Sequence, residues 1–268
     1  MNQLYSKALK INIQLSNYQL QQFNLYYDML IETNKVMNLT AITEKEEVIT
    51  KHFLDSLALA AVYPDICNPE LELTVLDLGT GAGFPGIPLK IAFPHLQVTL
   101  MDSLNKRVKF LQSVIDKLEL CDAKKMVSSD CKSKTGKDDN KSNICDITAV
   151  HGRAEEAAKN AAYRERFNLC VSRAVANLST LSEYCIPFVK PGGKCISYKA
   201  AEVEEEVEDA KEAIHILGGK LSTVKKIVLP DTDIERSFVF IDKIKNTPKA
   251  YPRKAGMASK EPLKKRNP

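Results

Sequence analysis

No stretch of this 268-residue chain approaches the run of about 20 apolar residues that a membrane-spanning helix needs. Its first fifteen residues, MNQLYSKALKINIQL, also lack the continuous apolar core and small-residue cleavage site of a secretory leader. A soluble, cytoplasmic protein is the expectation. The seven cysteines, at 67, 121, 131, 145, 170, 185 and 195, contain no C-x-x-C pair, and their number is odd. That pattern argues against a zinc site or a disulfide frame, so they read as reduced thiols, several of them in apolar strand-like or helix-like settings. No internal repeat is present, which sets aside solenoids and propellers.

At 29.9 kDa the chain can bury one α/β core of ordinary size plus an appendage. The formal net charge of +4 conceals an asymmetry. Residues 243–268 hold nine Lys or Arg against one Glu, a net +8, which leaves −4 for residues 1–242. With four prolines opposing regular structure there, this end reads as a flexible basic tail, either solvated or able to follow a phosphate backbone.

Residues 74–86, TVLDLGTGAGFPG, carry the densest chemistry. Val75, Leu76 and Leu78 suit a strand covered on both faces, and Gly79, Gly81 and Gly83 then allow bare backbone to approach a ligand. A helix opening near Gly86 would aim its first N–H groups at the same place. Dinucleotide binding and S-adenosylmethionine binding both use this device. Gly81, Gly83 and Gly86 satisfy G-x-G-x-x-G, and Asp102 follows 21 residues after Gly81. Pro85, however, brings no N–H to the helix start where a pyrophosphate wants donors, and the carboxylate of Asp77 would repel that anion. The same carboxylate suits the ammonium and sulfonium of the methyl donor, which is therefore the favoured cofactor. Asp102, ending the second strand, is the acceptor for both ribose hydroxyls, with helix capping as its plain structural role.

Apolar spacing predicts a helix over 17–35, and Thr43-x-x-Glu46 reads as a capping box for a second helix reaching Val62. After the glycine loop the pattern alternates: strands over 97–102, 147–150, 167–172 and 194–199, with helices over 105–120, 154–162, 177–189 and 202–217. Alternation of this kind implies a doubly wound parallel sheet. Pro191-Gly192-Gly193 reads as the turn into the strand at 194, and the last two strands, 221–229 and 238–241, have no helix between them. They should form an antiparallel hairpin at the sheet edge. The expected fold is α/β: a seven-stranded, Rossmann-like sheet of the methyltransferase type with a helical N-terminal cap. The expected divisions are a cap over 1–68, a sheet domain over 69–242 and the tail over 243–268. Residues 128–143, polar and aperiodic, read as a disordered inserted loop.

The ordered series NLTAI (38–42), HFLDSL (52–57), LDLGTGAGFPGIPL, LMDSLNKRVKFL (100–111), HGRAEE (151–156), SRAVA, KPGG and ERSFVFI (235–241) resembles one family. That family is the bacterial small-subunit ribosomal RNA guanine-N7 methyltransferases of the GidB type. The resemblance spans about residues 15–245 and implies a class I S-adenosylmethionine-dependent enzyme acting on 16S rRNA or a small-subunit particle. It also implies that Gly79, Phe84, Ala154, Glu155 and Arg173 stand at cofactor-contacting positions. It places Arg236 at the mouth of the sheet, where Arg153 and Arg173 follow strands three and four. These arginines and His52 are the RNA-binding candidates, although a structural role is the plain reading of His52. No metal, protein partner or oligomer is expected. A nicotinamide-dependent oxidoreductase and a non-catalytic RNA-binding module are the alternatives.

What is missing agrees with N7 chemistry. The Asn/Asp-Pro-Pro-aromatic signature of base amino-group methyltransferases is replaced by Ser172-Arg173-Ala174-Val175, and cytosine C5 transfer would need a cysteine nucleophile near a proline, whereas Cys170 and Cys185 read as part of a strand and a helix. Guanine N7 already carries a lone pair, so catalysis reduces to positioning, and no general base is expected.

Overall fold

The computed structural model describes residues 1–121, 146–173 and 175–263. Its strands are β1 (Thr74–Leu78), β2 (Gln97–Asp102), β3 (Ile147–His151), β4 (Phe167–Arg173), β5 (Val189–Lys199), β6 (Gly219–Val228) and β7 (Glu235–Lys243). They form one sheet in the order β3-β2-β1-β4-β5-β7-β6. The first five run parallel, while β7 is antiparallel to both β5 and β6, which is the expected hairpin. The chain winds outward from β1 in one direction and returns through β4 in the other, so a crevice opens at the carboxyl ends of β1 and β4.

Two apolar clusters fill the two faces. One joins the N-terminal helices to β1, β2 and the helices Gly86–Ala92 and Asn105–Lys117, and the other packs Leu178–Cys185 and Glu204–Ile216 on the opposite face. The helix Asn17–Met37 is the organising member of the first layer. Ser16 and Gln19 form a reciprocal capping box at its start, a signal missed in the sequence, and Asn38 ends it in the left-handed region. Its buried polar side chains are pegs. Gln19 donates to Ile91 O at 2.7 Å, Gln22 to Leu118 O at 2.7 Å and Tyr26 to Ala82 O at 2.6 Å, so one helix satisfies the carbonyl ends of two others and clasps the glycine loop.

Several expectations need correction. Thr43 caps nothing: the next helical stretch starts at Lys45 with Glu44 before it and no side-chain cap. That stretch widens into a π-helical turn, Ile49–Leu54, which a 3.6-residue spacing cannot announce, and the carbonyl of Lys51 in this turn accepts from Arg173. The turn expected at Pro191 lies inside β5, as a register irregularity against β4 where a residue without an N–H does no harm. A further short helix, Asn2–Leu9, had no expectation, and the helix at Ala154–Ala157 is shorter than the one foreseen. Cys67, Cys170, Cys185 and Cys195 are free thiols, as expected, but Cys121 is disulfide-bonded. The loop expected over 128–143 also lies outside the described residues.

Residues 244–263, expected to be flexible, pack against the body. Arg164 donates to Thr247 O and Tyr251 O, Arg253 forks onto Glu183, and Thr180 and Ser179 donate to Ala258 O and Leu263 O. A high density of charge concealed buried anchors such as Thr247 and Ala258. Among the described residues, no helix is long and apolar enough to cross a membrane.

Lys90 supplies a test of this core. It is 2% exposed, donates to Pro94 O and Leu96 O, and burial pushes its pKa down to about 8. The unfolded chain holds that proton to about pH 10.4, so between these values unfolding takes up a proton and stability rises with pH. Urea denaturation from pH 8 to 10 should show a smaller rise in Lys90→Met than in the unaltered chain; equal slopes would mean that Lys90 keeps an ordinary pKa.

Candidate functional site

The glycine loop is built from below by Asp77. This residue is fully buried, and its Oδ2 accepts from Thr80 Oγ1 at 2.6 Å and from Gly86 N at 2.7 Å. Its Oδ1 has no hydrogen-bond partner, and burial raises its pKa to about 6 despite those two bonds. Asp77 therefore shapes the loop from beneath instead of lining the cleft. The first N–H of the following helix is consumed by Asp77, so the anticipated aim of helix donors at a ligand is lost at Gly86. Gly83 is held by packing: a Cβ there would come within 2.4 Å of Ile87 Cδ1 and 2.7 Å of the Tyr26 hydroxyl. Gly81 is the contrasting case, with φ +61° and nothing within 4 Å of where a Cβ would stand, so its backbone fronts open space.

That space adjoins a cleft of about 260 Å³ lined by Leu78, Gly79, Met101, Asp102, Arg153, Ala154, Glu155, Val175 and Tyr184, among others. Asp102 stands at the end of β2 as expected and ties the loop down, accepting from Gly81 N at 3.0 Å through Oδ2 and from Leu104 N at 2.9 Å through Oδ1. Arg107 approaches the same Oδ2 at 3.4 Å. Glu155, 7% exposed, lies in the cleft wall with Oε1 accepting from Gly256 N at 3.0 Å. Apolar Leu78, Met101 and Val175 beside two carboxylates suit a flat heteroaromatic ring bearing hydroxyl and amino groups. The aliphatic residues and Tyr184 were not foreseen, since nothing in an apolar strand end distinguishes a lining residue from a core one.

A second cleft, about 410 Å³, opens beyond β4 and β5 and is lined by Lys51, His52, Asp55, Arg173, Tyr198, Lys199, Ala200 and Arg236. Asp55 is its centre. The carboxylate is 2% exposed and receives Arg173 Nη1 on Oδ2 at 2.7 Å and Arg236 Nε on Oδ1 at 2.7 Å. Arg173 and Arg236 are thus brought together as expected, but Arg153 is apart from them, in the first cleft. The reason is topological, because Arg153 follows β3, near the far edge of the sheet.

Phe84 also departs from its expected place: it lines neither cleft, and its ring stacks on His52 at 4.5 Å and lies under the Arg173 guanidinium at 5.1 Å. His52 turns Nδ1 to Arg173 Nη2 at 3.3 Å and Nε2 to Thr40 Oγ1 at 2.8 Å. A guanidinium only donates, so Nδ1 accepts and the proton sits on Nε2. Burial and then the Arg173 charge lower the pKa of His52 to about 4, which keeps the ring neutral. Thr40 in turn accepts from Ile42 N, which explains why NLTAI and HFLDSL occur together. Sequence reasoning set Asp55 close to His52 and Phe53 on the same helical stretch but gave it no role; that closeness was the available signal. Among the described residues no cluster could hold a metal ion.

A family model described as GidB, rRNA small subunit methyltransferase G, matches residues 19–139 and 137–237. The chain belongs to this family. Among curated relatives, the Ribosomal RNA small subunit methyltransferase G of Lachnoclostridium phytofermentans is 49% identical over 263 residues, which are 98% of this chain and 97% of that protein. The proteins of the same name from Bacillus cytotoxicus and Lactobacillus johnsonii are 45% and 43% identical, covering 99% and 97% of this chain and 99% of each relative. Agreement over nearly full length extends family membership to the helical layer and its second cleft as well as to the sheet.

The Asp55 pairing predicts a large stability effect. Asp55→Ala would strand two guanidiniums, each partly buried, and should cost about 3–5 kcal/mol in urea denaturation. A loss below about 1 kcal/mol, the scale of an exposed pair, would show that solvent already screens this site.

Proposed function

We propose that this chain transfers the methyl group of S-adenosylmethionine to N7 of a guanosine in the 16S rRNA of the small ribosomal subunit. The carrying observation is the juxtaposition of the two clefts across the end of β4, where Arg173 faces one and Val175 the other. When bound, S-adenosylmethionine supplies an electrophilic methyl group on a sulfonium. In this reading Asp102 and Glu155 hold its hydroxyl and amino groups, Leu78, Met101 and Val175 hold its ring, and the bare backbone at Gly79 and Gly81 admits it. Gly83, Phe84 and Asp77 support that cleft from behind, and Ala154 completes its wall.

In the second cleft one anion, Asp55, balances only one of two guanidiniums, so an excess positive charge remains for an RNA phosphate. Placing these cations on phosphate suits the chemistry better than placing them on the base, because N7 gains positive charge as it is methylated. Among the described residues of this cleft, both oxygens of Asp55 are engaged and His52 Nδ1 accepts from Arg173, which supports transfer without a general base. An N7 lone pair needs none. A nicotinamide oxidoreductase is disfavoured by the capture of Gly86 N beneath the loop, and the family name speaks against a passive RNA-binding module. Action on ribosomal RNA supports a cytoplasmic location, and a monomer without protein partners is part of the same reading.

Incubation with S-adenosylmethionine and small subunits lacking the modification, followed by nucleoside mass spectrometry, should show 7-methylguanosine in 16S rRNA. Methylation of another atom, or of no RNA, would sink the proposal. Asp102→Ala should weaken S-adenosylhomocysteine by roughly 10- to 150-fold, the value of about 1.5–3 kcal/mol for bonds to a charged group. Arg236→Gln should leave that affinity within about twofold and cut methylation at limiting RNA. Arg173→Ala should harm both, and Arg153→Gln should act on cofactor affinity, as its position in the first cleft demands.

The basic C-terminal segment gives a separate test. Lys249, Lys254 and Lys260 are exposed and have no acidic partner among the described residues, whereas Lys243 and Arg253 are committed to Glu165 and Glu183. Replacing the three lysines by Gln should reduce the slope of log affinity for 16S rRNA against log salt by about 2 to 3 units, with the methylated nucleotide unchanged. An identical slope would mean that this segment touches no phosphate.

A further inference from the structure

The packed segment 244–263 reaches the first cleft without entering it. Gly256 N donates to Glu155 Oε1 at 3.0 Å, and Ser259 Oγ donates back to Gly256 O at 3.1 Å, closing the turn of chain that presents this N–H. Glu155 lines that cleft, as does Tyr184 on the neighbouring helix. A wall residue of the cleft thus has its orientation set by a bond from the strap. The strap itself is pinned one residue before Tyr184: Glu183, 1% exposed, accepts from Arg253 Nε at 3.0 Å, Arg253 Nη2 at 2.6 Å and Arg253 N at 2.8 Å. A bidentate guanidinium on a buried carboxylate fixes both distance and plane, which a loop with single-atom anchors would not achieve. Thr180 Oγ1, donating to Ala258 O at 3.0 Å, ties the next turn of the strap to the same helix.

We propose that Arg253 is a positioning residue for the cofactor cleft: clamped on Glu183, it holds the strap so that Gly256 N locks Glu155 in the orientation that receives the ligand. The inference rests on the methyl-donor reading of that cleft. Release of the strap frees the Glu155 carboxylate to swing and solvates it, so ligand binding must then bear the cost of ordering that wall side chain. The clamp acts on the wall of the first cleft alone; the Asp55 pairings of the second are made by other elements.

Calorimetry with S-adenosylhomocysteine on the full chain, paired with kinetics on small subunits, tests this. Arg253→Met should weaken S-adenosylhomocysteine about five- to fiftyfold and raise KM for S-adenosylmethionine in parallel, while kcat at saturating donor and KM for the subunit stay within about twofold. Arg253→Lys, which keeps the charge but not the fork, should recover part of the loss. Thr180→Val, which leaves the ion pair intact and removes only the side-chain bond to Ala258 O, should give a smaller shift of about two- to fivefold and serves if Arg253→Met does not fold. Wild-type affinity in both Arg253→Met and Thr180→Val overturns the strap's role, as does a parallel rise of KM for the subunit, which marks general loosening. Failure of the unaltered chain to bind S-adenosylhomocysteine removes the methyl-donor reading, and this inference with it.

Discussion

The relation between the N-terminal helices and the sheet depends on one buried carboxylate. Asp55 comes from the helical layer, Arg173 from the end of β4 and Arg236 from the start of β7, and the three meet with both carboxylate oxygens at 2.7 Å from a guanidinium nitrogen. Burying such a group is costly unless it is fully paired, so neither arginine can leave without exposing the penalty of the other partners. Around this fixed point the remaining contacts are consequences. The Tyr198 hydroxyl donates to Ser56 O at 2.9 Å, the carbonyl of Lys51 takes a further bond from Arg173, and the His52 ring stacks on Phe84, which belongs to the glycine loop. The second cleft exists because two positive side chains are held at its floor by an anion that neutralises only one of them.

A second constraint is the economy of backbone donors around the glycine loop. Asp77 binds Gly86 N, Asp102 binds Gly81 N, and the carbonyl of Met101 accepts from Gly79 N and Thr80 N. The loop is therefore stiff before any ligand arrives, and what it offers is absence of side chains rather than free N–H groups. That distinction suits an adenosyl-type ligand, which carboxylates and apolar walls can recognise, better than a pyrophosphate, which would need the donors the protein has already spent. The helix Asn17–Met37 reinforces the same economy from outside, with Tyr26 closing the carbonyl of Ala82.

Much of this was legible in the sequence for a definite reason. Strands β1 and β2 and the helix from Asn105 announce themselves through local patterns, apolar runs followed by glycines or a carboxylate, and local patterns are what a linear reading detects. The final hairpin was legible from the lack of a helical period between two apolar runs. The failures are of another kind. Thr43 looked like a cap because spacing alone cannot tell that Thr40 already closes that turn through Ile42 N. The segment beyond Lys243 looked free because its lysines outweigh its anchors in number, although Thr247, Arg253 and Ala258 find partners far away in the chain. Asp55, visible beside His52, was given no role because its meaning lies in arginines 118 and 181 positions away. Phe84 was placed on the cofactor by analogy of position, and the packing of His52 and Arg173 against its ring gives it a different task.

The site as built also explains how transfer could proceed without an acid or base. His52 is the side chain that a reader would nominate, yet its Nδ1 faces a guanidinium and its pKa lies near 4, so at neutral pH it neither carries charge nor has a lone pair to spare. Its contribution is geometric: a flat neutral ring, stacked on Phe84, accepts from the Arg173 guanidinium that lies over the same Phe84 ring, without competing for Asp55. Arg173 is then the residue through which the two clefts communicate, since β4 carries it into the second cleft while the chain just beyond, at Val175, walls the first. A displacement of that strand end moves both clefts together. For a reaction whose nucleophile needs no activation, keeping those two sites in register is the main work left for the protein, and the rigidity of β4 between β1 and β5 is what supplies it.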